Sequence, residues 1–471
     1  MMQRIPFPTQ TYELNSLPAD AQDLVNLYVE QAPPEARSQA IIKSTPGLAA
    51  VFTFETGAIR ALNSDQPGRL YAVAGDQFIR YTAEGGAVSI GTVTGSGRPT
   101  IAVGPTTVVV CIPPNAWVAS HAASSTLHQI TGTSSQPFPG ASSVTYIAGY
   151  WVFTADDIGS DQFFWSNLLD ADTYDGLSFA SADARPNVLK KAMFHRGELW
   201  LFGETGVEVW FVTGNANAPF ERRSGGDIPF GTSNAATVAE FDNSLVWLGT
   251  NGIIYRSSGY TAQRISTHAI EEWIRDFGEV RFTSGLAYSQ TGHYFYALSF
   301  QRADGSEGRT WVYDAATKQW HRRASGAGGS GRWRADCSAQ FGGTAIFGDG
   351  FSAVVFGLDP QTRNDVGVTL RRIACFPPIW GDTKRAFMSR FEVELDSGTL
   401  AANPSIQLDW SDNGGRNFTT PRFMSSGASG DHRKRVFSTR LGSFRQRVLR
   451  LMAEDIVTFY GADADIQVGE S

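Results

Sequence analysis

The chain has 471 residues, of which 12% are aromatic, 49 are glycine and only 18% are charged, and its formal net charge is −7. That length can bury a large core in more than one domain, and the balance suits many short strands joined by turns, excluding a helical bundle or a disordered chain. A mildly acidic chain is not built to coat nucleic acid.

The three cysteines, Cys111, Cys337 and Cys375, are an odd number and widely spaced. They fit neither a disulfide framework nor a CxxC metal pattern and read as small buried hydrophobes. The N-terminus, "MMQRIPFPTQ", lacks the apolar run of a signal peptide, and no 18-residue apolar stretch follows. The expectation is a soluble protein folded in a reducing cytoplasm, with no membrane insertion.

Residues 1–50 form a Pro-punctuated arm with little room for its own core. It is expected to lend a strand or clasp to the C-terminal module. From residue 51 a pattern repeats. "GELWLFGETGVEVWFVTG", residues 197–214, reads as a hairpin of β-branched and aromatic residues around a Gly-containing turn. Six further stretches resemble it. Their apolar centres, with this one, lie at Tyr71, Val109, Val152, Leu201, Trp247, Phe295 and Ile346, spaced by 38, 43, 49, 46, 48 and 51 residues. A loose period in the forties, with strands and Gly/Asp turns, is that of β-propeller blades, each of which must stack on its neighbours. No WD or kelch signature is present, so the reading is an irregular propeller of six or seven blades over residues 51–375.

One helix is expected at "STHAIEEWIRDF", where Ile270, Trp273, Ile274 and Phe277 share a face that would pack on the side of the propeller. Flexible loops are expected at residues 325–331 and 425–430. After Cys375 the strand candidates "RFEVELDSG", "SIQLDWSDNGG", "KRVFSTRLGSFRQRVLRLMAED" and "VTFYGADADIQV" predict a small antiparallel β-sandwich or platform over residues 376–471. The fold class is therefore all-β.

Catalytic chemistry is missing. The sequence contains no GxxxxGK[ST], no HExxH, no GxSxG and no paired CxxC. The seven histidines have no ligand spacing, and the "ADD" at 155–157 would place its adjacent carboxylates on opposite faces of a strand. No catalytic residue, metal or cofactor is expected. "SDNGGRNF", from Ser411, loosely fits the Asp box of sialidase-type propellers but reads as a turn stabilised by Asn413 with Gly414 and Gly415. The remaining candidate is "RKRVFSTRLGSFRQRVLR", residues 433–450. It holds Arg433, Lys434, Arg435, Arg440, Arg445, Arg447 and Arg450 and no acidic residue. It reads either as a solvated face or as a stripe for docking an acidic partner or facing DNA phosphate, with Arg445 and Arg447 sharing one face of a strand.

In order along the chain, "VNLYVE", "TPGL", "GSGRPTIAVG", "FFWSNLLDADTYDGLSFASADARPN", "GELWLFGETGVEVWFVTGNANAPFERR", "YRSSGYTAQRISTHAIEEWI", "LDWSDNGGRNF" and "LGSFRQRVLRL" resemble the packaged-DNA stabilisation proteins of short-tailed bacteriophages (podophages), also called tail hub or nozzle proteins. The resemblance implies a structural virion protein, not an enzyme, made in the host bacterial cytoplasm and carried in the tail at the portal vertex. It also implies a propeller and a platform domain. Members form a ring, usually a hexamer, below the portal and its adaptor ring. There they extend the DNA channel, help retain packaged DNA and adjoin the tail needle, fibre or tailspike proteins. DNA would pass without sequence-specific binding. The motifs mark the fold, so no docking residue is carried over. The alternative is a glycan-binding or sialidase-like hydrolase propeller, which needs arginines, tyrosines and paired acids clustered at the propeller centre.

Overall fold

The computed structural model describes residues 2–13, 21–32, 40–65, 68–95, 97–122, 126–134, 136–156, 159–278, 280–381, 384–396, 405–425 and 434–469. Seven four-stranded units follow one another in it. Blade 1 comprises Ile59–Ser64, Arg69–Ala74, Gln77–Thr82 and Gly86–Thr92, paired antiparallel throughout. Blades 2 to 6 span residues 100–129, 141–181, 189–228, 239–264 and 280–323. Blade 7 is composite. Its strands Ala335–Phe341, Thr344–Asp349 and Val354–Asp359 take a fourth from the N-terminal region, Gly47–Thr53, which pairs antiparallel with Val354–Asp359. The first strands of blades 7 and 1 then lie side by side, which closes the ring.

The seven apolar centres read from the sequence all fall on the second strand of a blade. That strand is covered on both faces by the neighbouring blades, so it runs apolar continuously instead of alternating. In blade 4, Leu199, Leu201 and Phe202 are wholly buried beside Trp200. The core is accordingly divided. One cluster fills each of the seven wedges between blades, such as that of Val109, Trp151 and Phe153 between blades 2 and 3. No blade could bury its two faces alone, and this is why the pattern recurs.

The helix runs His268–Asp276, with Thr267 as N-cap. Ile270 and Phe277 are buried against Phe300 and Trp311, closing the wedge between blades 5 and 6. Residues 325–331, expected as an open flexible loop, form a hydrogen-bonded turn. Ser325 is buried with its hydroxyl on Asp365 (2.6 Å), the Gly326 amide meets the Ser330 carbonyl (2.9 Å), and Gly329 packs near Ile373. The glycines here supply left-handed backbone at 328, 329 and 331. The second expected loop falls on residues of which only Ser425 lies among those described.

Two further sheets form the sandwich. One has the order Leu27–Gln31, Ala40–Ser44, Thr458–Val468, Ala386–Asp396, Lys434–Phe444, with Met2–Ile5 also paired to Thr458–Val468. The other runs Ala21–Val25, Arg372–Cys375, Gln446–Ala453, Ser405–Ser411, Arg422–Ser425 and joins blade 6 where Val25 pairs with Arg322. Phe391, Val393, Leu408, Leu449 and Leu451 are among the residues that fill the space between them.

The junction of propeller and sandwich is polar, and several of its side chains bond across it, although the buried Nε atoms of Arg323, Arg371 and Arg372 have no hydrogen bond. Arg322 grips Asp23 with two N–H groups, and Arg309 pairs with Glu13 at 3.1 Å. Asn26 donates to the carbonyls of Ala324 (3.0 Å) and Arg371 (2.9 Å) and accepts from the Ala324 amide (3.0 Å). The Asp365 carboxylate accepts from the Leu48 amide at 2.9 Å.

Candidate functional site

The first strands of the blades line an axial cavity of about 700 Å³. Three cations from their leading ends reach its wall. Arg60 donates to the carbonyls of Gly75 (3.1 Å), Gly95 (2.7 Å) and Gly97 (2.6 Å). Arg98 meets both the side chain and the carbonyl of Asp336 (3.2 and 2.6 Å), and Ser284 holds the same carboxylate at 2.8 Å. Lys191 donates to the carbonyls of Val238 (2.9 Å) and Ala235 (3.3 Å). Burial, reinforced by the nearby Arg98 charge, pushes the Lys191 amine down to about 8. These groups spend their donors on backbone carbonyls and on two carboxylates, the inner Asp336 and, at 3.4 Å from Arg60, the exposed Asp76, and they act as pins between blades. Among the described residues no paired acids stand beside them of the kind that glycoside hydrolysis uses.

The described histidines are dispersed into separate structural contacts. His121 bonds Tyr71 (2.7 Å), His128 bonds Asp172 (2.7 Å), His195 bonds Glu240 (3.2 Å), His293 bonds Asp314 (2.8 Å) and His268 bonds Arg264 (3.0 Å). Buried His321 has its Nε2 without a hydrogen bond, and desolvation holds its imidazole down to about 3. His432 and Asp157 lie outside the described residues. Among the described residues no three of His, Cys, Asp or Glu are placed to hold a metal ion. All three cysteines are free and buried, and burial raises each thiol, Cys337 to about 12, so none is a ready nucleophile.

The Asp-box-like stretch is a turn. Ser411 Oγ accepts from the Gly415 amide (2.9 Å), and Asn413 Oδ1 accepts from the Asn417 amide (3.0 Å). Its acidic residue, itself exposed, reaches back onto the platform. Asp412 makes a two-pronged pair with Arg447 at 2.7 and 2.8 Å, while Arg447 also donates to the Leu441 carbonyl and stacks near Trp410 and Phe444. Arg450 pairs likewise with Asp409 at 2.9 and 2.6 Å and lies over Phe418 at 3.7 Å.

The arginine-rich stretch therefore divides. Arg447 is 1% exposed and held by Asp412 at the surface, and Arg450 is half-buried and held by the buried Asp409. Arg435 is exposed and lies 3.6 Å from Glu392, Arg440 and Arg445 are exposed, and Lys434 is half-buried. Arg433 lies outside the described residues. Arg445 and Arg447 do not share a face. The chain passes from the strand Lys434–Phe444 to Gln446–Ala453 at Arg445, and this change of strand turns Arg445 out while Arg447 points into the core.

Sequence reasoning missed the three cavity cations and the exposed Lys384 and Arg385, which lie close to Arg445. The last two stand outside any motif. The cavity cations could have been found at the leading ends of the first strand of their blades.

A closed propeller joined to a sandwich, with its polar groups spent on internal bonds and no catalytic constellation among the described residues, defines a structural scaffold. The model of the family described as bacteriophage P22 Gp10, β-propeller, matches residues 20–363, and that described as bacteriophage P22 Gp10, β-sandwich, matches residues 372–468. The chain belongs to the bacteriophage P22 Gp10 family. This is a family of phage virion structural proteins linked to stabilisation of packaged DNA, not of enzymes.

No curated protein matches the chain significantly. Among solved structures, the chain is similar to the computationally designed Ika8 protein (11% identity, 67% of this chain and 100% of that one, TM-score 0.40). It is also similar to PorZ of the type-IX secretion system of Porphyromonas gingivalis (10%, 73% and 44%, TM-score 0.36) and to Hsv2 of Kluyveromyces lactis (10%, 64% and 97%, TM-score 0.34). No described helix is long and apolar enough to cross a membrane.

Proposed function

We propose that this chain is a tail hub, or nozzle, protein, six copies of which form a ring below the portal and its adaptor ring. The ring extends the DNA channel and helps retain the packaged genome. The observation that carries the reading is the family match, which covers both parts of the chain in order. The axial cavity agrees with it. At about 700 Å³ it has the size of a small-molecule pocket, and we place the DNA channel between copies.

Six copies would carry a charge of about −42, which repels a duplex and lets it slide without sequence-specific contacts. Retention then comes from narrowing or plugging the channel, with needle, fibre or tailspike proteins as further partners. We assign residues 1–46 as the arm, 47–371 as the propeller, whose last blade takes in Gly47–Thr53, and 372–471 as the platform, which takes in Arg372–Cys375, the arm acting as a clasp between the other two. The outward-facing Arg435, Arg440 and Arg445 are assigned to protein docking, since Arg447 and Arg450 are taken up inside the platform.

Particles assembled without this chain should package DNA and then lose it, and purified chain added back should restore retention. DNA retention that is unchanged without the chain would overturn the proposal.

A further inference from the structure

Two of the exposed apolar patches stand beside charged groups of opposite sign, one on the sandwich and one on blade 3. The first is the far tip of the sandwich. The strand Thr458–Val468 leaves the junction beside Lys43 and ends about 34 Å away, at 3.4 Å per residue. Its last residue pairs with Ala386, the Gly469 amide meets the Arg385 carbonyl, and the Gly381 amide meets the Arg445 carbonyl. This gathers Lys384, Arg385 and Arg445, all exposed and none in an ion pair among the described residues. Beside them Trp380 is 55% and Phe387 50% exposed. A tip with cations and half-bare aromatics is the composition of a protein-binding surface, not of a solvated end.

The second patch is the loop joining the outer two strands of blade 3, Gln162–Trp165 and Phe179–Ser181. It exposes Leu168, Leu169 and Leu177, the last at 83%. It also carries Asp170, Asp172 and Asp175, with no Lys or Arg between residues 166 and 179. Asp172 meets only a partly exposed histidine, His128, and Asp170 and Asp175 accept from groups of the loop itself. Three carboxylates and bare leucines complement three cations and bare aromatics.

Placement decides the partner. The sandwich is rooted at blades 6 and 7, and in a ring of seven the blade facing that boundary is blade 3. Complementary patches on opposite sides of one molecule cannot meet within it. Between copies they make a head-to-tail contact, the kind that generates rings when the rotation closes.

We infer that the sandwich tip of one copy docks on the blade 3 loop of the next, Lys384, Arg385 and Arg445 facing the Asp170–Asp175 carboxylates and Trp380 and Phe387 covering the leucines. This rests on the ring proposed above and names the surfaces that build it.

The test uses particles assembled with variants of the full chain. Leu177→Cys with Phe387→Cys, oxidised in the assembled tail, should give a ladder of covalent multimers, and either single variant none; the native cysteines are buried. Lys384→Glu/Arg385→Glu and Asp172→Lys/Asp175→Lys should each lower incorporation at least tenfold, and all four changes in one chain should restore it. Restoration also shows that the reversed chains fold. A ring seen in particles whose cysteine pair stays uncrosslinked, with incorporation unchanged by reversal, overturns the docking but leaves the ring standing. Cross-linking by Leu177→Cys alone would mean a symmetric contact and overturns it too. Particles without any ring overturn the proposed function itself.

Discussion

Asn26 has a φ of 55°, a backbone that asparagine tolerates better than most residues. Its amide spans propeller and sandwich, and its carbonyl accepts from the Thr45 amide (3.0 Å) and hydroxyl (3.1 Å). Asn26→Ala strands three buried backbone groups and should cost about 2–4 kcal/mol, read by denaturant unfolding. Asn26→Gly keeps the backbone but not the bonds and should lie between the two. Arg447 presents a second case. Arg447→Ala leaves the Leu441 carbonyl without its donor and opens space among Trp410 and Phe444, so about 2 kcal/mol should be lost from the platform. An unfolding transition unmoved by that change would contradict the packing of the buried guanidinium.

At the same scale, His321 gives a pH dependence. Its folded value lies near 3, below the ordinary 6.5, because burial disfavours the charged imidazole; the nearby Arg323 and His293 add to this and Asp314 opposes it. As the pH falls below 6.5, the unfolded chain takes up a proton that the folded chain refuses. Stability from this group is therefore complete above about 6.5 and is lost progressively down to about 3. His321→Leu should flatten that part of the acid profile relative to the unmodified protein, as measured by urea unfolding at a series of pH values.

Among the elements, the closing strand Gly47–Thr53 has the largest consequence. It completes blade 7, and the residues before it supply strands to both sandwich sheets. A chain starting after Thr53 should lose cooperative unfolding altogether, seen as a broad calorimetric transition; a sharp one at the original temperature would contradict the closure. That strand was not legible as a blade member, since its partner Val354–Asp359 lies some three hundred residues on. The second strands were legible because neighbours bury both their faces, giving runs such as Leu199–Phe202. The fourth strand of blade 2 was not, being only the exposed pair His128–Gln129. The helix was legible from its four apolar positions. The arginine-rich stretch misled by its charge. "LDWSD" carries Asp409 and Asp412, which claim Arg450 and Arg447, but strand pairing across some forty residues does not show in a run of letters.

For the whole molecule, charge is unevenly shared. The twelve Lys and Arg of residues 376–471 balance twelve Asp and Glu, so the net −7 belongs to residues 1–375. An acidic propeller and a neutral sandwich with a basic tip favour copies arranged head to tail over copies stacked face to face. Ring stability would then be multivalent, each copy holding two sisters, and weakened by salt at the charged contact. Electron cryomicroscopy of the portal vertex of particles carrying this chain is the most direct check. A six-fold collar under the adaptor, with the DNA path running between propellers and not through them, is the expected result. A single propeller standing apart from the axis, or DNA threading the axial cavity of one copy, would contradict the account.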